Sequence, residues 1–204
     1  MKKMIFLVAA ALLLISNAAM ADSIAGKLGV SVRGGFTVPA DSEFSDGTKI
    51  ETDTGWNVGG GIIYGINNNF AAALDVIYSE TDAKAEGIDI GVGKTTDISL
   101  GVQYRFMPQN TLVPYVGAGI DVLVNDFSPN SNPLIPSSLD TDTTFGGHLN
   151  AGIDYFVAKN VALNAELRGV LSTEADVKDS IGFAGAKYDP SNFSGLFGVR
   201  VFFR

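Results

Sequence analysis

The sequence predicts an all-β protein, an eight-stranded antiparallel up-and-down transmembrane β-barrel. Three observations predict it. Eight stretches alternate apolar and polar side chains with a period of two, the period of a strand that has a different medium on each face. Aromatic residues gather near both ends of the apolar faces, as in a barrel wall crossing two membrane surfaces. The connections alternate between short and long, as short periplasmic turns and longer outer loops do.

The chain opens with Met1-Lys2-Lys3, an apolar run over residues 4–15, and Ala19-Met20-Ala21. A basic start, a short apolar stretch and a small-x-small site predict a signal peptide over 1–21, cleaved after Ala21. The apolar run is well short of the ~20 residues a spanning helix needs. The barrel domain is then expected over 22–204.

The first strand, 27–38, turns Leu28, Val30, Val32, Gly34 and Phe36 to one face. The second, 55–66, presents Trp56, Val58, Gly60, Ile62 and Tyr64, and the third, 70–79, presents Phe70, Ala72, Leu74, Val76 and Tyr78. The fourth, 95–106, is the clearest: its even positions read Thr, Ile, Leu, Val, Tyr, Phe and its odd ones include Asp97, Gln103 and Arg105. The fifth, 112–124, offers Val116, Ala118, Ile120, Val122 and Val124. The sixth, 144–156, offers Phe145, Leu149, Ala151, Ile153 and Tyr155. The seventh, 161–171, offers Val161, Leu163, Ala165 and Leu167, and the eighth, 192–203, offers Phe193, Phe197, Val199, Val201 and Phe203.

None of these outward residues is charged. Arg33, Asp75, Asp97, Arg105, Asp121, Asp154, Glu166, Arg168 and Arg200 all fall on the opposite faces. One arginine or lysine facing hydrocarbon at mid-bilayer costs ~2–4 kcal/mol, reason enough for the asymmetry. These nine are the expected lumen charge network: five acids and four arginines. An eight-stranded barrel is only wide enough for side chains to fill, so such charges must pair or suffer a severe desolvation cost. An internal salt-bridge plug is the plainer expectation. A narrow wet path is the alternative, which lumen-facing glycines such as Gly29, Gly61, Gly117 and Gly119 would favour by leaving volume unfilled.

Two aromatic girdles are expected. Phe36, Trp56, Tyr78, Phe145 and Phe193 lie near the long-loop ends; Tyr64, Phe70, Tyr104, Phe106, Tyr155 and Phe203 lie near the short-turn ends. Amphipathic rings favour that depth, between headgroup and hydrocarbon. The long loops, 39–54, 80–94, 125–143 and 172–191, carry sixteen acidic residues against five lysines, leaving them at −11. The whole chain is at −8, so a basic nucleic-acid-binding face is not expected. The absence of cysteine excludes disulfides and thiolate metal sites and suits passage through an oxidising periplasm.

Motif-like fragments carry little. Gly91-Val92-Gly93-Lys94-Thr95 looks like the end of a phosphate-binding loop, but Ile88 stands where that motif needs glycine, and the stretch opens a strand rather than a helix. The loop Asp41-Ser42-Glu43-Phe44-Ser45-Asp46-Gly47 imitates a calcium loop, yet its glycine comes one place late and Thr52 replaces the bidentate Glu. His148 is the single histidine and is expected to be a polar lumen residue. No catalytic group, metal site or cofactor is expected.

Pro114-Tyr115-Val116-Gly117-Ala118-Gly119-Ile120 resembles the fifth-strand signature of small outer-membrane barrels of the opacity, OmpA-like and OmpW types. Leu100-Gly101-Val102-Gln103-Tyr104-Arg105-Phe106 and Gly152-Ile153-Asp154-Tyr155 resemble their strand-end patterns. The resemblance spans the barrel and implies a bacterial outer-membrane location, with lipid and lipopolysaccharide as neighbours and the barrel assembly machinery as insertion partner. That machinery reads a terminal aromatic: Phe197, Val199, Val201 and Phe203 keep the alternation, and Arg204 adds one residue past it. The opacity and OmpA-like branches imply envelope or surface-interaction roles through the loops. The OmpW branch implies passage of small, mostly hydrophobic solutes, which the charged lumen does not match. The expected function is therefore structural or surface-interacting, with a narrow porin-like channel or solute port as the alternative.

Overall fold

A computed structural model describes residues 23–40, 42–43, 49–85, 88–129, 139–140, 143–173, 175–176 and 187–203. The predicted leader, its cleavage site at Ala21, most of the Asp41–Gly47 loop and Arg204 lie outside these residues. Eight long strands build the molecule: β1 (Leu28–Pro39), β2 (Gly55–Gly65), β3 (Phe70–Ala85), β4 (Ile88–Arg105), β5 (Leu112–Pro129), β6 (Thr144–Ala158), β7 (Val161–Ser172) and β8 (Asn192–Phe203). Each pairs antiparallel with its chain neighbours. β1 closes on β8 from Leu28↔Phe203 to Pro39↔Asn192. Closure leaves none of the eight strands with a free edge, the condition for a sheet to stand in lipid.

The short turns follow from local chemistry. At 67–69 the Asn67 side chain accepts hydrogen bonds from the backbone N–H groups of Asn69 (2.9 Å) and Phe70 (2.8 Å), an Asx turn that reverses the chain at once. After β4, Met107 takes φ 47°, and the Asn110 N–H returns to its carbonyl at 3.0 Å.

One expectation is corrected. The segment 80–94 is not a long loop. β3 runs on to Ala85 and β4 begins at Ile88, with Glu80↔Lys94, Thr81↔Gly93 and Asp82↔Val92 in register. β5 likewise runs past Val124 to Pro129. Hydrocarbon enforces an apolar face only across the membrane; beyond it the ladder of β3 continues through Glu80, Asp82 and Lys84, and that of β5 through Asp126 and Ser128, without an apolar outward face. The wall is therefore taller along β3–β5 than along β1, β7 and β8. Segments Lys49–Thr52 and Leu139–Asp140 extend it by pairing with the tops of β3 and β5.

The molecule is inverted relative to a water-soluble fold. Val32, Ile120, Leu149 and Leu171 are exposed on the outside, while all nine lumen charges are buried. Among the described residues, a conventional apolar cluster lies at the turn end of the barrel, where Ile24, Ile63, Ala71, Ala73, Val113, Phe156, Ala162 and Phe202 meet.

Candidate functional site

The candidate site is the lumen, and it is layered. At the turn end lies the apolar cluster, a floor to which β2, β3, β5, β6, β7 and β8 all contribute. Phe156 and Phe202 stack across it, with ring centroids 5.8 Å apart.

Above the floor, Asp154 is fully buried between two arginines. Arg105 Nη2 and Arg200 Nη1 each donate to its Oδ2 at 2.7 Å. Asn164 Nδ2 donates to its Oδ1 at 2.8 Å and also reaches the Tyr115 hydroxyl at 2.9 Å. That hydroxyl donates to Glu166 Oε2 at 2.6 Å. Both guanidiniums lie over the Tyr115 ring, Arg105 at 5.8 Å and Arg200 at 5.5 Å from its centroid, so the ring face adds cation–π stabilisation.

Arg33 joins the layers. Its Nη2 donates to Asp75 Oδ1. Its Nη1 stands 3.1 Å from Glu166 Oε1, an ion-pair distance without hydrogen-bond alignment. Above it, Arg168 Nη2 donates to Asp121 Oδ1 at 2.5 Å and lies 3.2 Å from Asp97 Oδ2, while Nη1 lies 4.0 Å from Asp75. His148 Nδ1 approaches Asp121 at 2.8 and 3.0 Å. Arg168 Nη2 lies 3.1 Å from the same ring nitrogen. Nearer the mouth comes an uncharged layer. Thr95 Oγ1 donates to Asn125 Oδ1 (2.9 Å), Asn125 Nδ2 to Thr144 Oγ1 (3.3 Å) and Ser172 Oγ to Thr144 Oγ1 (3.0 Å).

The structure thus brings all nine charges into one connected chain, from Arg105 beside the floor to Asp121 and His148 in the outer half. The chain is polarised. Two arginines share one carboxylate near the floor, whereas Asp75, Asp97 and Asp121 crowd Arg168 further out.

A second expectation is corrected here: the lumen-facing glycines do not leave unfilled volume. A Cβ on Gly61 would strike the Asp75 carboxylate, one on Gly119 would come 2.5 Å from His148 Cε1, and one on Gly29 would come 2.8 Å from Ile63 and 2.9 Å from Phe202. The space is taken by neighbouring large side chains; glycine is what admits them. His148 shows this well, with its ring edge over Gly101 and Gly119.

Sequence reasoning missed Tyr115, Asn164, Phe156 and Phe202. The signal for Tyr115, Phe156 and Phe202 was aromatic character on the polar face, close to the turn end of β5, β6 and β8; Asn164, on β7, carried none. The rings assigned to the girdles point outward at two levels. Near the mouth, Trp56 and Tyr78 pack 5.7 Å apart, and Tyr78 donates to Glu80 Oε1 at 2.5 Å. Phe36, Phe145 and Phe193 are exposed at the outer parts of β1, β6 and β8. Near the turns, Tyr104 packs edge-on against both Phe70 (5.2 Å) and Phe106 (4.9 Å). Tyr64, Tyr155 and Phe203 are exposed at the same end.

Comparison with known proteins gives the class. The fold matches OprG of Pseudomonas aeruginosa with a TM-score of 0.67 at 19% identity, covering 90% of this chain and 100% of OprG. It matches neisserial surface protein A with a TM-score of 0.60 at 20% identity, covering 86% and 97%. It matches AlkL, solved in lipid bilayers, with a TM-score of 0.57 at 16% identity, covering 90% and 93%. At such identities the likeness is one of fold. A curated relative, the uncharacterized outer-membrane protein y4mB of Sinorhizobium fredii, is 31% identical over 139 residues, 66% of this chain and 56% of the relative. This chain thus spans little more than half of that relative's length.

The fold, the inverted burial and these neighbours define an outer-membrane β-barrel protein. The sequence matches the outer membrane protein beta-barrel domain family over residues 7–200, and the chain belongs to that family.

Proposed function

We propose that this barrel is a closed outer-membrane scaffold whose role is structural or surface-interacting, exercised through its acidic outer loops. The observation that carries the reading is the connected network of buried charges across the lumen, two groups of ion pairs joined through Asn164 and Tyr115 and seated on an apolar floor. A solute would have to break pairs between groups that are almost wholly buried, and removing one partner of a buried pair costs about 3–5 kcal/mol. The polarity of the chain adds to the barrier: a cation drawn to the acidic outer half then meets Arg105 and Arg200, and an anion meets the carboxylates first. Lipid covers the outward faces between the two aromatic levels. Lipopolysaccharide surrounds the taller β3–β5 side, and the alternating end of β8 serves as the assembly signal.

A second reading, a narrow porin-like path, has one observation behind it. Arg105 Nη1, Arg168 Nη1, Gln103 Oε1 and Asn150 Oδ1 are buried with no hydrogen-bond partner among the described residues, and such groups are normally met by water. Planar-bilayer recording separates the two. The closed scaffold predicts no steady single-channel steps from refolded protein. Steady steps whose size shifts with Asp97→Asn or Arg168→Gln would replace it with the porin-like path.

A further inference from the structure

We propose that residues 23–27 are a removable stopper for the periplasmic end of the barrel, with Ile24 as the side chain that seats. The proposal rests on the closed-lumen reading above and adds the part that can open.

Ile24 precedes the first strand, yet it is 1% exposed, sunk among side chains from six of the eight strands. Its neighbours Phe156 and Phe202 are the large members of the floor. Phe202 in turn lies under Arg105, whose guanidinium is 5.9 Å from the ring. The floor therefore separates the ionic chain from the periplasm, and Ile24 is its one member supplied from outside the strands.

The segment is built to dock rather than to be woven in. It makes no ladder, only a single parallel bridge, Ala25↔Gly65. Gly26 N–H donates to the Gly65 carbonyl at 2.7 Å, Gly65 N–H donates to the Lys27 carbonyl at 3.0 Å, and Lys27 N–H closes the turn on the Ile24 carbonyl at 2.9 Å. The Ser23 hydroxyl reaches Asn68 Oδ1 at 2.5 Å. Two glycines allow this. Gly26 sits at φ +71°, which side-chain-bearing residues rarely adopt. A Cβ on Gly65 would strike the Ile24 carbonyl and come 3.2 Å from Ile24 Cγ1. Withdrawing the segment breaks these contacts and leaves every barrel pairing intact.

The chain contains no cysteine, so a single Ala73→Cys reports on the floor from within. Refolded full-length protein in micelles is treated with a small charged thiol reagent, and labelling is timed against the heat-shifted folded band in a gel. Ala73→Cys alone is expected to label slowly. Adding Ile24→Gly is expected to speed labelling roughly tenfold or more, the scale set by losing one buried aliphatic side chain. Adding Gly26→Val instead is expected to do the same by another route, because a Cβ at Gly26 meets nothing within 4 Å and only the turn is disfavoured. Ile24→Val is expected to stay protected. Folded Ile24→Gly and Gly26→Val chains that label no faster than the parent overturn the stopper alone. Fast labelling of the parent together with steady conductance overturns the closed lumen, and the stopper with it.

Discussion

The wall and the lumen are made by the same eight strands, and they place opposite demands on alternate residues. Outside, Leu28, Val32, Leu100 and Phe197 are exposed and uncharged; any net charge there faces a medium that cannot solvate it. Inside, Arg33, Arg105, Arg168 and Arg200 are more deeply buried than most of the described leucines, yet they are tolerated because carboxylates meet them. The difference teaches that burial alone does not decide where charge is allowed. What decides is whether an opposite charge is held within reach. Adding a charge to the wall and deleting one from the lumen are therefore the same error, an unpaired charge out of water.

The largest break in that comparison is expected from the lumen side. Asp154→Asn leaves Arg105 and Arg200 facing each other with no carboxylate between them. Removing one partner of a buried pair costs about 3–5 kcal/mol, and here two cations lose the same one. Urea unfolding of refolded protein should show a loss of that size, partly recovered in the double variant Asp154→Asn/Arg200→Met. A loss under ~1 kcal/mol, the scale of exposed pairs, would mean that the lumen solvates its charges and that wall and lumen do not differ as argued. The exposed pair of Lys84 with Asp53 (2.5 Å) is the internal reference for that lower scale.

The wall gives the next effect. Leu100 is outward and 55% exposed at mid-strand. Leu100→Arg should destabilise the inserted barrel by ~2–4 kcal/mol, read as a lower yield of folded protein in phospholipid vesicles and a lower unfolding midpoint. Unchanged folding would mean that hydrocarbon does not touch this face.

How much of this was legible in sequence differs between the two regions for the same physical reason. The wall was legible because lipid imposes one rule on every outward position: the period of two through Ile98, Leu100, Val102 and Tyr104 fixes strand, register and face together. Where lipid ends the rule ends, so the extension of β3 to Ala85, with Glu80, Asp82 and Lys84 at the outward positions, left no apolar signature. The lumen was legible only as a set of charged residues. Which arginine meets which carboxylate depends on pairs such as Arg105–Asp154 and Arg168–Asp121, far apart in sequence and joined by barrel closure and strand stagger. The floor was masked because Val113, Phe156 and Phe202 are apolar residues on the polar face, easily read as ordinary interruptions. Only their shared depth, at the turn end of separate strands, marks them as one layer.

The glycines sharpen the comparison at the smallest scale. Outward Gly169 has open space around it, whereas lumen-facing Gly119 has the His148 ring 2.5 Å from where a Cβ would sit. Adding the same methyl group at the two sites should therefore give different results. Gly119→Ala should cost about 1–3 kcal/mol, the usual penalty for overpacking a filled interior, while Gly169→Ala should be close to neutral. Part of the Gly119 cost is backbone, since the new Cβ would also crowd the Leu100 carbonyl oxygen and the Gly101 Cα. Truncating His148 can relieve only the remainder. In a double-variant cycle, Gly119→Ala with His148→Ala should then be less destabilising than the sum of the two, with a coupling of roughly 0.5–3 kcal/mol, as for residues in contact. Strict additivity would mean that His148 does not occupy the space Gly119 leaves, and that the glycine is there for the backbone alone.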